Sequence, residues 1–155
     1  MVPDDDFDPQ RVLVVDDHGP MLRTHGRILE TFGMKPILMT DPAEALEEAK
    51  ARLPAVVVLD LVMPGMSGLE FVTRLRMFYG RHCPPVVLIS ANASQLSPME
   101  QLMFDAIFTK PYSVDRMVVW VKRLARMHWE RRRAPSEVVR RPGLHLVEES
   151  ADEEG

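Results

Sequence analysis

Residues 56–70 read VVVLDLVMPGMSGLE, an apolar run, an aspartate, a Pro-Gly turn and then Ser67-Gly68-Leu69-Glu70. Four apolar residues in a row, without alternation, fit a strand buried on both faces of a parallel sheet. Ser67 followed three residues later by Glu70 has the spacing of a helix N-cap with its reciprocal carboxylate, so the stretch is one strand-to-helix unit. The helix it opens is expected to end near Gly80.

The same unit recurs on either side. Apolar runs at Val12–Val15, Pro36–Met39, Pro85–Ile89 and Ala106–Phe108 join the one at Ala55–Leu59. Between the first two, Leu22, His25, Ile28, Leu29 and Phe32 form a stripe at helical spacing over Met21–Phe32, stopping before Gly33. Asp41-Pro42-Ala43-Glu44 supplies a cap, a proline at the first helical position and a glutamate placed to reach back, predicting a helix to about Arg52. Ser97-Pro98-Met99-Glu100 repeats the pattern for a short helix to about Phe104, and Ser113 caps a last helix from Val114 to about Arg133. Strand and helix therefore alternate five times. Alternation at this spacing requires right-handed crossovers and gives a doubly wound α/β domain, in which ligands bind beyond the carboxyl ends of the strands.

The chain has 155 residues, room for one such domain. Hydrophobic residues are 46% and charged residues 27%, enough to bury a core. Lys and Arg number 19 against 23 Asp and Glu, a net charge of −4, which argues against bulk attraction to nucleic acid or anionic lipid. One cysteine, Cys83, excludes an internal disulfide, and no Cys/His spacing suits zinc. The acidic start (Asp4, Asp5, Asp6, Asp8) is unlike a secretory signal, and no apolar run reaches the ~20 residues of a membrane helix, so a cytoplasmic location and no membrane partner are expected. Three regions are expected: an acidic extension at 1–10, the α/β domain with an extended last helix at 11–133, and a flexible C-terminal tail at 134–155.

The strand ends carry the chemistry. The first ends in Asp16-Asp17, the third in Asp60, the fourth in Ser90 and the fifth in Lys110-Pro111. Aspartates after a strand commonly cap the next helix, so the pair alone decides nothing. Three carboxylates sharing one edge repel strongly unless a cation neutralises them, and a divalent metal with the Lys110 ammonium would do so. Oxygen-only ligands favour Mg²⁺, with Mn²⁺ as an alternative, and Mg²⁺ typically combines one or two carboxylates with waters and a phosphate oxygen.

These residues resemble the receiver domains of bacterial two-component response regulators, single-domain type with a C-terminal tail. The resemblance covers about residues 11–124 and rests on VLVVDD at 12–17, the 56–70 segment with its D-x-x-M-P-x-x-x-G spacing, LIS ending at Ser90 and TKPY at 109–112. It implies a flavodoxin-like (βα)5 receiver fold with a five-stranded parallel sheet in the order 2-1-3-4-5. It implies that Asp60 accepts a phosphoryl group from a phosphohistidine of a sensor kinase or phosphotransfer protein, and that the protein signals to a downstream protein target instead of acting as an enzyme. Asp16, Asp17, Asp60 and the Val62 carbonyl would hold Mg²⁺. Lys110, Ser90 and the Ala91 N–H would hold phosphoryl oxygens, with Ser90 moving on activation. Pro64, Gly65 and Gly68 would shape the loop after the acceptor, and the Lys110–Pro111 bond would be cis.

The sequence also departs from the family. The switch aromatic three residues before the lysine is Ile107, and Phe108 should point to the opposite face of its strand. Met103 and Phe104 replace small residues before the fifth strand, so a changed output surface is expected. Val62 and Asn92 flank the path of an attacking water with opposite tendencies, one excluding and one orienting it.

Elsewhere, Lys122, Arg123, Arg126, Arg131, Arg132, Arg133, Arg140 and Arg141 either complement the last helix's dipole or bind nucleic acid or an acidic partner. No DNA-recognition module has room after the domain, and direct DNA binding is not expected. The apolar surplus of the last helix, with Trp120 and Trp129, is either covered by the tail or serves a homodimer or partner. His18 reads as a loop residue; His25, His82, His128 and His145 have no partner spacing. Two other functions stay open: a phosphorylation-independent adaptor binding through its fourth and fifth helices, and an aspartyl-phosphate hydrolase of the haloacid-dehalogenase kind. The second lacks an aspartate two residues after its nucleophile.

Overall fold

The computed structural model describes residues 6–91, 93–133 and the backbone of 145–147. Five parallel strands follow in the expected order: β1 (Arg11–Val15), β2 (Lys35–Met39), β3 (Val56–Asp60), β4 (Val86–Ser90) and β5 (Ala106–Thr109), arranged β2-β1-β3-β4-β5. A sixth, β6 (His145–Val147), pairs in parallel with β5 and makes the sheet six-stranded. Its residues fall where the sequence reading placed only a tail. The remainder of the tail and residues 1–5 lie outside the described residues.

The inner strands are apolar because both of their faces are covered. Val56, Val57, Val58 and Leu59 are all buried, as are Val12 to Val15 and Val86 to Ile89. Each buried aliphatic side chain contributes roughly 1.5–3 kcal/mol of transfer free energy, so the shared centre of the sheet dominates the domain's stability. β2, at the edge, is only partly covered.

Five helices connect the strands: α1 (Gly19–Thr31), α2 (Pro42–Ala51), α3 (Gly68–Tyr79), α4 (Pro98–Gln101) and α5 (Val114–Arg133). The capping signals operate as read for α4 and α5, while at α3 Ser67 caps the helix without a return bond from Glu70. The Glu70 N–H donates to Ser67 Oγ at 3.1 Å, and the Arg116 N–H donates to Ser113 Oγ at 3.3 Å. α4 has the complete reciprocal box, with Ser97 N–H donating to Glu100 Oε1 at 2.9 Å, but runs only to Gln101. At α2 the Asp41 carboxylate caps Ala43 N–H at 2.9 Å, without a recorded return bond from Glu44. α1 starts two residues earlier than expected because the His18 imidazole Nδ1 accepts from Met21 N–H at 3.2 Å, a capping role the sequence reading did not assign. Phe32, placed on the buried stripe, falls at the C-cap and is exposed.

α2 and α3 pack together, joined by Tyr79 Oη donating to the Ala49 carbonyl at 2.7 Å. Burial raises the Tyr79 phenol to about 12. On the opposite face α5 lies over β3 and buries Met117, Val118, Val121, Leu124, Ala125 and His128, one stripe of 3.6-residue period. The far end of α5 has a partner in the N-terminal segment: Phe7 stacks on Trp129 at 5.6 Å and meets His128 edge-on at 4.8 Å. Asp105, buried before β5, accepts from Val86 N–H at 2.8 Å and lies 3.6 Å from the Arg76 guanidinium, tying α3 to β4 and β5.

Candidate phosphoryl and metal site

Because the strands are parallel, their last residues share one edge, and the polar motifs converge there. Asp16 follows β1 directly. Its N–H donates to Met39 O at 3.2 Å, holding it against the end of β2, and its buried Oδ1 accepts from His18 N–H at 2.9 Å. Asp17 is exposed. Asp60 is the last residue of β3 and Ser90 the last of β4, where it is fully buried. Carboxylate oxygens of Asp16, Asp17 and Asp60 lie within 4.8 Å of one another.

Lys110 closes the site from the far side. Its N–H donates to the Ser90 carbonyl at 3.1 Å, fixing the start of the β5–α5 turn on β4, and its Nζ sits 3.7 Å from Asp60 Oδ2. The Lys110–Pro111 bond is cis. Asp60 Oδ1 accepts from Leu61 N–H at 2.7 Å, so one carboxylate oxygen is bound to its own loop while the other faces the ammonium.

The loop after Asp60 allows this approach through two glycines. Gly65 has φ of 85°, a conformation that side chains with a Cβ disfavour. Gly68 packs onto the Asp60 backbone: a Cβ there would lie 2.4 Å from the Asp60 carbonyl oxygen. Val62 stands outward at the rim, 58% exposed, while Leu61 and Met63 turn into the core. Ala91 is exposed just after β4, and Asn92 lies outside the described residues.

The electrostatics show what the edge lacks. Burial raises the Asp60 carboxyl above its ordinary value; Lys110 opposes this, Asp16 adds to it, and the Leu61 and Val62 N–H groups oppose it. The net direction remains upward. Three carboxylates facing one ammonium leave two negative charges without a counter-charge from that ammonium, in an all-oxygen donor set. A divalent cation preferring oxygen, such as Mg²⁺, fits both the charge and the chemistry.

Ile107, at the position of the expected switch residue, is buried in β5 beside Leu88 and belongs to the core. Phe108 is also fully buried, and its ring meets Tyr112 at 6.0 Å. Tyr112 in turn hydrogen-bonds His25 of α1. Sequence reading gave neither His25 nor Tyr112 a role, since 87 positions separate them and no local spacing could pair them.

Residues 12–122 match the response regulator receiver domain family. Among curated proteins, the phosphate regulon transcriptional regulatory protein PhoB of Escherichia coli (strain K12) is 29% identical over 139 residues, covering 88% of this chain and 60% of PhoB. The transcriptional regulatory protein PrrA of Mycobacterium bovis is 34% identical over 131 residues, 83% of this chain and 55% of PrrA. The chain thus spans about 60% of the length of such relatives. Among solved structures, the receiver domain of the Francisella response regulator 1452 aligns with a TM-score of 0.67 at 26% identity, over 76% of this chain and 98% of that one. The response regulator TrrA from Thermotoga maritima, in complex with Mg(2+)-BeF, aligns with a TM-score of 0.67 at 27% identity, over 74% of this chain and 98% of that one.

Proposed function

The chain belongs to the response regulator receiver domain family, and from that premise we propose that Asp60 is its phosphoacceptor, taking a phosphoryl group from a phosphohistidine of a sensor kinase or phosphotransfer protein. The observation that carries the reading is the convergence of three carboxylates within 4.8 Å, with Lys110 Nζ 3.7 Å from Asp60 alone among them.

In the transfer, an Asp60 carboxylate oxygen forms a bond to phosphorus as the phosphorus–nitrogen bond of the donor breaks, and its electron pair returns to the donor imidazole. Such a reaction offers little covalent work to the protein, so positioning and charge stabilisation decide its rate. Leu61 N–H orients the carboxylate. Lys110 holds the ammonium where a phosphoryl oxygen would arrive, and Ser90 Oγ with the Ala91 N–H would receive a second oxygen. Asp16, Asp17, Asp60 and the Val62 carbonyl are the residues that would hold Mg²⁺, whose contribution is positive charge on the remaining phosphoryl oxygens.

The product is an aspartyl phosphate, and the protein acts as a signalling switch read by a downstream protein partner, with self-dephosphorylation as its own chemistry. Added negative charge at the ends of β3, β4 and β5 biases the loops that follow them. Incubation with Mg²⁺ and acetyl phosphate, followed by intact-mass measurement, tests this. Wild type should gain one phosphoryl group and Asp60→Asn none. An unmodified wild type, or an equally modified Asp60→Asn, overturns the assignment.

A further inference from the structure

One partly buried polar pair beside the site has no part in the chemistry above. His25, on the inward stripe of α1, is 2% exposed, and its Nε2 shares a hydrogen bond with the Tyr112 hydroxyl. The two rings lie 6.0 Å apart, tilted by 38°. The Tyr112 ring also meets Phe108 at 6.0 Å in an edge-on arrangement, so it is boxed between β5 and α1. Burial lowers the His25 imidazole from its ordinary value and raises the Tyr112 phenol from its own. The charges on Lys110 and Asp60 both act on His25, and those on Asp16 and Asp60 act on Tyr112.

Tyr112 stands two residues after Lys110, with only Pro111 between them. The proline ring fixes one backbone dihedral of that short link. Lys110 is tied to β4 through its N–H on the Ser90 carbonyl. What happens on its other side is governed by where Tyr112 is held, and Tyr112 is held by α1.

We propose that His25 and Tyr112 are positioning residues for the Lys110 ammonium: their hydrogen bond anchors the turn from Lys110 to Tyr112 onto α1 and so sets the reach of Lys110 Nζ toward Asp60. The inference rests on Asp60 being the phosphoacceptor. It gives the polar ends of two distant side chains a common purpose that packing alone would not require, since phenylalanine and leucine would fill the same space.

The test follows the rate of Asp60 phosphorylation by acetyl phosphate, with the Mg²⁺ dependence measured for every variant. Tyr112→Phe keeps the ring against Phe108 and removes only the hydroxyl. His25→Leu removes the partner, and His25→Gln retains an amide able to reach the hydroxyl. Tyr112→Phe and His25→Leu should each slow phosphorylation by about tenfold, a fraction of the ~100-fold that a full 1 Å misplacement can cost. Apparent Mg²⁺ affinity should not change, because the three carboxylates are untouched. The double variant should be no slower than either single one, and His25→Gln should recover most of the rate. Thermal melting identifies the folded variants, and should His25→Leu fail to fold, Tyr112→Phe and His25→Gln carry the test. Wild-type rates in Tyr112→Phe, losses that add in the double variant, or a parallel fall in Mg²⁺ affinity would overturn the positioning role. Wild type that takes no phosphoryl group would overturn the Asp60 reading and this role together, whereas phosphorylated wild type with indifferent variants overturns this role alone.

Discussion

Replacing Gly68 with alanine asks how tightly the site depends on the loop beneath it. A Cβ at this position would lie 2.4 Å from the Asp60 carbonyl oxygen and 3.0 Å from Leu61 Cα. Ordinary contacts lie at ~3.5–4.0 Å, so relief requires about 1 Å of movement between the start of α3 and the end of β3. Both atoms are backbone, and no flexible side chain can yield in their place. Overpacking costs about 1–3 kcal/mol, and the gain of alanine over glycine in a helix is at most ~1 kcal/mol. Gly68 N–H also donates to the Leu61 carbonyl at 2.7 Å, a bond the displacement would lengthen. A net loss of ~2 kcal/mol is expected, which lowers a urea midpoint by about 1 M for a domain with a slope near 2 kcal/mol/M. Because the displaced carbonyl belongs to Asp60, the proposed acceptor, phosphorylation by acetyl phosphate should slow on the order of tenfold to 100-fold. Gly33→Ala is the control. Gly33 has φ of 86° and open space around it, at the opposite end of α1 from the site, so alanine costs roughly 1–2 kcal/mol in stability and nothing in rate. A Gly68→Ala protein that unfolds and phosphorylates like wild type would refute the close approach as a constraint.

The buried His25 imidazole is held below its ordinary value, first by burial and then by the Lys110 charge. Below about pH 6.5 the unfolded chain therefore takes up a proton that the folded one refuses, and stability falls as pH drops toward the folded value. His25→Gln should flatten this loss, seen as a smaller fall in denaturation midpoint between about pH 7.5 and about pH 5.5; equal slopes would refute it. The raised Asp60 carboxyl contributes with the opposite sign and is common to both proteins. At the rim, the exposed Val62 side chain offers an approaching water no hydrogen bond. Val62→Asn should shorten the phosphoryl lifetime by on the order of tenfold, a small part of the ~10²–10⁴ that a positioned proton-transfer group supplies. Decay of the phosphorylated protein at an unchanged rate would remove that argument.

The helix starts were legible because capping is local: Asp41, Ser67, Ser97 and Ser113 sit just before the residues they serve, and each accepts a backbone N–H in the structure. His18 escaped because histidine is not among the usual caps, and its role appears only once Nδ1 is seen facing Met21. The acidic cluster was legible for a topological reason. Asp16, Asp60 and Lys110 each follow or end a parallel strand, and parallel strands finish at one edge. β6 was not legible, since three residues carry too little pattern and its pairing with β5 is set by contacts made far along the chain. Phe7 was hidden by the acidic residues around it, which describe the segment's charge and say nothing of the ring that stacks on Trp129.

The site and the sheet pull against one another, and that opposition explains the placement of the remaining parts. The inner strands are apolar up to their ends, so Asp16 is buried and Asp60 half-buried beside the core. Asp60 registers the conflict as a carboxyl raised above its ordinary value despite an ammonium 3.7 Å away. A second ammonium would relieve it, but would also compete with the incoming cation for the same oxygens and lower the gain from binding it. With one lysine, neutralisation is incomplete, and a bound Mg²⁺ would turn relief of the repulsion into binding energy. The consequence falls on Lys110: as the lone partner of Asp60 among the described ion pairs, its reach cannot be left to a flexible turn. Its main chain is accordingly fixed on β4 through Ser90, and the turn that follows is fixed on α1 through Tyr112 and His25.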